Sequence, residues 1–282
     1  MNPMSRRRAL VLGGGAALAG GIAIGASGLA GADTETRASW RKIGVVTANI
    51  GRKHPSKREA AIRAVRDGVS IDGKRVRPFV GWQEIREGDA DAREPGWIDH
   101  YFGTAYTNVF NGKSPAHMVP LSVPKEFDVV DKRTTYCHGG LAHVSPARYI
   151  TEALVAAKDD PKLRFVFANT HYVAGAFNGK TDGHEKWRDD AWHKHFVKHR
   201  DKVLKYWRDR GFPVIWTGDV NRQSMPLLMP KFEKRAFGKG IDQIGWVPGG
   251  NGVEIRLVST HAIDMAVDDH NARVAVLKIR RG

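Results

Sequence analysis

The chain has a single cysteine, Cys137, in 282 residues. No internal disulfide can form, and zinc fingers and paired-thiol redox motifs are excluded with it. Cys137 itself reads as a small apolar residue of the interior. Long hydrophobic runs are equally scarce. After residue 32 nothing approaches the roughly 20 apolar residues that a membrane-spanning helix needs. Beyond that point there is no low-complexity tract, no Pro- or Ser-rich linker that would split a domain, and no repeat of solenoid period. Acidic residues are in the minority, 30 Asp and Glu against 45 Lys and Arg. Such a basic excess argues for a polyanionic partner (nucleic acid, anionic lipid or a cell-wall polymer) unless it serves solubility alone.

The N-terminus is of another kind. Arg6, Arg7 and Arg8 precede a Gly/Ala-rich apolar stretch that ends in "AGA" before Asp33. That order of charged, apolar and small residues is the order of an export signal. Ser5, Arg6 and Arg7 followed by Leu10 resemble the twin-arginine type, with Ala9 where that type usually has Phe. The Gly and Ala content keeps the stretch weakly hydrophobic, so removal after Ala32 is expected, not retention as an anchor. The expected organisation is an export signal over 1–32, a short segment over 33–41 and one domain over 42–282, secreted and monomeric. Loss of the three arginines leaves a formal charge of +12.

Short apolar runs recur along the remaining 250 residues. "KIGVVTANI" (42–50), "RPFVGWQEI" (77–85), "LRFVFANTHYV" (163–173) and "FPVIWTGDVN" (212–221) read as strands, and their near-continuous apolar character predicts sheets covered on both faces. "EFDVVDKRTTYC" (126–137) and "GGLAHVSPARYI" (139–150) alternate more and read as an antiparallel pair; "EIRLVSTHAIDMAV" (254–267) and "ARVAVLKIR" (272–280) close the set. Ala61, Ile62 and Val65 recur at helical spacing in 57–67. Residues 182–210 read as one long amphipathic helix with Trp192, Phe196, Val203 and Trp207 inward. The order strand, helix, strand, then a meander, then strand, helix, strand predicts a layered α/β architecture.

Polar residues gather where these strands end: Asn49, Glu84, His171, Asp219 with Asn221, Asp242, and Asp269 with His270. In extended chain, positions two apart face the same way, so Asp219 and Asn221 of "WTGDVNRQ" address one spot. Ligands of α/β sheets collect outside the carboxyl ends of strands.

In that order, Asn49, "QE" (83–84), "NTH" (169–171), "GDVN" (218–221), "ID" (241–242) and "DDH" (268–270) resemble the endonuclease/exonuclease/phosphatase superfamily over nearly all of the chain from residue 42. The resemblance implies a four-layer sandwich, two packed mixed β-sheets flanked by helices, and metal-dependent hydrolysis of phosphate esters. It implies Glu84 as the principal ligand of a divalent metal, Mg²⁺ first with Mn²⁺ or Ca²⁺ as alternatives, and Asn49 and Asp269 holding the metal or its waters. His270 would be the base or its electrostatic equivalent, oriented by Asp242. Asp219 would orient the attacking water or take its proton, Asn221 would donate to the phosphate, and His171 would bind a non-bridging oxygen. Lys180, Arg188 and Arg222 lie near the motif loops as candidate substrate contacts. Two departures stand out. Gly51 and Arg52 follow Ile50 where many members carry an acid, and no mid-chain Tyr pair is apparent; His117 is the obvious polar residue of that region.

Other signals are declined. His195 and His199 are spaced for zinc, but lysines interleave them and "HEKWR" is not HExxH, so a solvated helix face is expected. "EGDADARE" (87–94) lacks the calcium-loop pattern. The functional expectation is an exported phosphodiesterase, a nuclease first. The alternatives are a phospholipid or sugar-phosphate phosphoesterase and a non-catalytic polyanion binder; Phe177 alone offers itself to lipid.

Overall fold

The computed structural model describes residues 39–51, 53, 55–86, 93–112, 114–267 and 270–282. The expected export signal, Asp269 and most of the 87–94 stretch therefore lie outside the described residues. In chain order the strands are β1 (Arg41–Asn49), the hairpin β2 (Ser70–Ile71) and β3 (Lys74–Arg75), β4 (Phe79–Gln83), β5 (Tyr106–Val109), β6 (Leu121–Pro124), β7 (Phe127–His138), β8 (Arg148–Ala157), β9 (Asp160–His171), β10 (Val214–Asp219), β11 (Lys234–Arg235), β12 (Asp242–Val247), β13 (Val253–Val267) and β14 (His270–Arg281). The helices are α1 (Arg58–Asp67), α2 (Glu94–Phe102), α3 (Glu185–Lys198) and α4 (Lys205–Arg208).

Two six-stranded sheets form, β13-β14-β1-β4-β6-β5 and β11-β12-β10-β9-β8-β7. Each mixes antiparallel pairs with one parallel pair, β1 with β4 and β9 with β10. In each case a helix lies between the two strands in sequence, as a parallel crossover requires. The continuous apolar runs have a direct cause. Ile43 and Val45 of β1 enter the core between the sheets, whereas Val46 and Ala48 enter the layer packed with α1 and α2. On β9, Phe165 and Phe167 point to the inter-sheet core and Val166 and Ala168 to the layer packed with α3. Three apolar layers between four layers of structure make the sandwich expected from the sequence. Phe79 sits at the centre of the middle layer, with ring centroids 4.9, 5.4 and 5.3 Å from Phe127, Phe165 and Phe167.

The sheets are clasped by polar groups at the site end. Asn169, fully buried, donates to the Trp82 carbonyl at 2.6 Å and accepts from Gln83 Nε2 at 2.6 Å and Thr217 Oγ1 at 3.0 Å. This close approach needs Gly81. A Cβ there would sit on Thr217 Oγ1 and 2.5 Å from Asn169 Oδ1. Gly81→Ala is expected to cost about 1–3 kcal/mol through overpacking, read as a lowered Tm; an unchanged Tm would show that the sheets spread freely.

Three expectations are corrected. β8 starts at Arg148, so residues 139–147 form a loop and not the strand read there. The long helix begins at Glu185 and passes through a π-helical turn, His199–Leu204, before α4. The solvated face assigned to His195 and His199 is wrong: both are fully buried. His195 stacks on Tyr172 at 3.9 Å and bonds Thr170 Oγ1 through Nε2 at 2.6 Å, and His199 Nδ1 meets the Tyr172 hydroxyl at 3.1 Å.

Candidate active site

The carboxyl ends of β1, β4, β9 and β10 meet at one end of the sandwich, and Asp219 is their meeting point. It ends β10, in register with His171 on one side and Asp242 on the other. From the opposite sheet Asn49 donates its amide to Asp219 Oδ2 at 2.9 Å, while Asn49 Oδ1 accepts the Gly51 N–H at 3.1 Å. The other oxygen, Asp219 Oδ1, accepts the Asn221 N–H at 2.8 Å. That contact is a side chain capping its own turn, and it works because Asn221 adopts φ +50°, a left-handed conformation that Asn tolerates. Asn221 uses one amide hydrogen on the Tyr172 carbonyl at 3.1 Å. Trp192 of α3 pins the same turn from behind, donating its indole N–H to the Val220 carbonyl at 2.8 Å.

Two imidazoles flank Asp219. His171 Nε2 lies 3.6 Å and His270 Nε2 4.0 Å from Asp219 Oδ2. His270 Nδ1 bonds Asp242 Oδ2 at 3.0 Å. Burial works against charge on His270, but the hydrogen bond to Asp242 and the charges of Asp242, Asp219 and Glu84 outweigh it, raising its pKa to about 9. Asp219 is raised by burial first and by repulsion from Asp242 second, with His171 and His270 pulling the other way.

A cavity of about 440 Å³ opens over these groups. Glu84, His171, Asp219, Asn221, His270, Lys180 and Arg188 line it, together with Gly51, Lys53, Ser145 and Arg148. Asn49 and Asp242 stand buried behind it. Glu84 enters the cavity from a left-handed backbone position, φ +62°. Arg188 and Lys180 share Asp182, at 2.5 and 3.2 Å. Arg222 is not among the lining residues; its guanidinium lies over the Phe177 ring at 4.1 Å and near the Trp192 ring at 5.1 Å. His117 does not line it either and bonds Ser114. A larger cavity, about 650 Å³, lies among the amino ends of β1 and β4 and holds none of these groups. Its cations are paired, Lys42 with Asp72 at 2.7 Å and Arg77 with Glu126; the smaller cavity opens over Asp219 and the residues that converge on it, so the chemistry belongs there.

Asp219, Asp242 and His270 bring ligand atoms within 4.8 Å of one another and could hold a metal ion. The donor chemistry around the cavity suits a hard dication: Glu84, Asp219 and Asp242 supply carboxylate oxygens, and Asp242 Oδ1 is buried without a hydrogen-bond partner among the described residues. Sequence reasoning missed Arg148, 4% exposed, whose Nη1 meets His171 Nδ1 at 3.1 Å. Nothing in the sequence marks it: it falls late in the 139–150 stretch read as strand, and only the structure shows it to begin β8.

No protein-family profile matches the chain, and no curated protein sequence does. Solved structures do match. An endonuclease/exonuclease/phosphatase family protein from Bacteroides thetaiotaomicron aligns over 86% of this chain and 96% of its own at 12% identity, with a TM-score of 0.57. A truncated TDP2 from Caenorhabditis elegans aligns over 84% and 97% at 18% identity, TM-score 0.55. A mannosyl-6-phosphatase from B. thetaiotaomicron aligns over 83% and 99% at 14% identity, TM-score 0.56. The chain therefore has the DNase I-like fold of the endonuclease/exonuclease/phosphatase proteins.

Proposed function

We propose that the chain is an exported, divalent-metal-dependent phosphodiesterase whose substrate is a nucleic acid. The observation that carries the chemistry is the convergence on Asp219: an amide, two imidazoles and a second carboxylate surround one buried carboxylate at the mouth of a cation-lined cavity. The substrate class rests on the basic excess of the chain. The metal would be held by Glu84 with Asn49 and Asp269, and when bound it would polarise the phosphoryl group and acidify a water. The Asp219, Asp242 and His270 cluster is better used as an acid–base unit, because the hydrogen bond between Asp242 and His270 already occupies Nδ1.

With its pKa raised, His270 keeps its proton at neutral pH and serves as a cation facing the reacting oxygens. Asp219, raised by burial, is the group placed to accept the proton of the attacking water. The second amide hydrogen of Asn221 and the His171 Nε2 donor stabilise the charge that develops on the phosphate. Lys180 and Arg188 extend the positive lining along the rest of the substrate, and Arg222 supplies a further cation outside the cavity.

A second reading, a phosphomonoester or sugar-phosphate substrate, is favoured by the cavity itself. Val144 and Ser145 from one loop and Ala174, Gly175, Asn178 and Lys180 from another wall it in. A lipid substrate is disfavoured, because Phe177, though 39% exposed, is a single side chain packed on Trp192 at 4.9 Å with the Arg222 guanidinium over its ring.

The test is a time course with plasmid DNA, total RNA, bis(4-nitrophenyl) phosphate and 4-nitrophenyl phosphate, each with Mg²⁺ and with EDTA. Metal-dependent cleavage of DNA or RNA is expected. Turnover of the monoester alone would move the substrate to the second reading. DNA binding without any EDTA-sensitive hydrolysis would leave a polyanion-binding member of the fold.

A further inference from the structure

We propose that Arg148 is a positioning residue that fixes the tautomer of His171, so that this imidazole presents its hydrogen from Nε2 to a phosphate oxygen above Asp219.

Arg148 begins β8 and His171 ends β9, 23 positions apart in sequence. The two strands run antiparallel with Ile150 opposite Thr170, so one strand's start and the other's end fall side by side. Both side chains are buried, at 4% and 2% exposure. Arg148 Nη1 and His171 Nδ1 are 3.1 Å apart. A guanidinium has donors and no acceptor, so Nη1 donates and Nδ1 must offer its lone pair. The ring hydrogen is then confined to Nε2. Nε2 faces Asp219 Oδ2 at 3.6 Å, beyond hydrogen-bond reach, and both residues line the cavity. The N–H is thereby turned toward the side of the ring that faces Asp219 and the cavity. The opposite tautomer would turn a lone pair toward Asp219 and leave the phosphate without this donor.

The second imidazole is set by the opposite charge. His270 Nδ1 faces the Asp242 carboxylate at 3.0 Å and so carries a hydrogen there. The two rings on either side of Asp219 are thus given different hydrogen placements by an arginine and an aspartate, a division that residue type alone does not disclose.

The kinetic consequence rests on the phosphoesterase reading above; the tautomer does not. The first experiment is therefore a long-range ¹H–¹⁵N correlation spectrum of the full mature chain, with the His171 signals assigned by comparison with His171→Gln. The expected pattern is a protonated Nε2 and a bare Nδ1, giving way to a mixture of tautomers in Arg148→Met. A ring protonated on Nδ1 in the wild-type protein overturns the proposal, whatever the activity and whether or not the Arg148 variants fold. The second experiment is a double-mutant cycle on bis(4-nitrophenyl) phosphate. Arg148→Met is expected to lower kcat by about 10²-fold, the scale of one transition-state donor, with KM changed little. In a His171→Ala background it should cost less than about threefold. Arg148→Lys, which keeps a charged donor, should recover part of the loss. Additive losses, or a loss confined to KM, would show that Arg148 binds substrate on its own account and would overturn the proposal.

Discussion

Asp219→Asn is expected to lower kcat by about 10³-fold, within the range for a lost general base, with KM changed much less. The carboxylate is the one group that every neighbour in the site addresses: Asn49 and the Asn221 N–H bond it, and His171 and His270 lie within 4.0 Å. An asparagine keeps the volume but cannot take the proton, and its NH₂ must face one of the two donors that the carboxylate accepts from. Stability should move the other way. Burial first and repulsion from Asp242 second raise the pKa of Asp219, so removing its charge relieves strain built into the site. In EDTA the Tm of Asp219→Asn should equal or exceed that of the wild type, and its rise on adding Mg²⁺ should be smaller. His270→Gln should lose about 10²-fold in kcat without that gain in Tm, because it removes a cation from beside two carboxylates. Turnover of Asp219→Asn within tenfold of wild type would place the base elsewhere.

The site was legible because its residues are short polar groups at the ends of apolar runs. Asn49, Glu84, His171 and Asp219 each follow a stretch whose two faces are both buried, and such strands can address water only at their ends. The layered fold was legible for the same reason. What stayed hidden depends on register or helical phase. Arg148 meets His171 only through the pairing of β8 with β9, and one arginine among so many carries no mark of it. His195 and His199 were misread because Lys194 and Lys198 beside them suggested a wet face. Yet Arg188, Trp192 and His195 form one inward stripe of α3, and the π-helical turn that follows continues it with His199, Val203 and Leu204. The interval 139–147 read as strand by its alternation, but it walls the cavity through Val144 and Ser145.

Those buried histidines set the second large effect, a loss of stability on acidification. His199 is fully buried, and burial first, with Arg235 adding to it, lowers its pKa from 6.5 to about 3. A group whose folded pKa is depressed binds more protons unfolded, so stability falls as pH drops below 6.5. Between pH 7.5 and 5.0 this one residue costs about 2 kcal/mol. His195, lowered well below its usual value by burial and by His138, and His138, lowered by burial, act in the same direction. Glu152 opposes them. It is fully buried, and burial raises it from 4.5 to about 7 against the hydrogen bond from Thr135, the charge of Arg133 and the hydrogen bond from Trp207. Its folded form binds the extra proton between those values, so it gains stability as pH falls, by about 2 kcal/mol over the same interval. His270 and Asp219, whose folded pKa values are also raised, gain stability as pH falls as well, so the loss from the buried histidines is read by difference between variants and not from the wild-type Tm alone. The two opposing contributions separate by mutation. His199→Gln, which keeps a polar partner for the Tyr172 hydroxyl, should flatten the acid limb by about 2 kcal/mol, and Glu152→Gln should steepen it by a similar amount. Denaturant titrations of the three proteins at both pH values decide the matter: parallel losses in all of them would mean that neither buried group titrates on unfolding in this range.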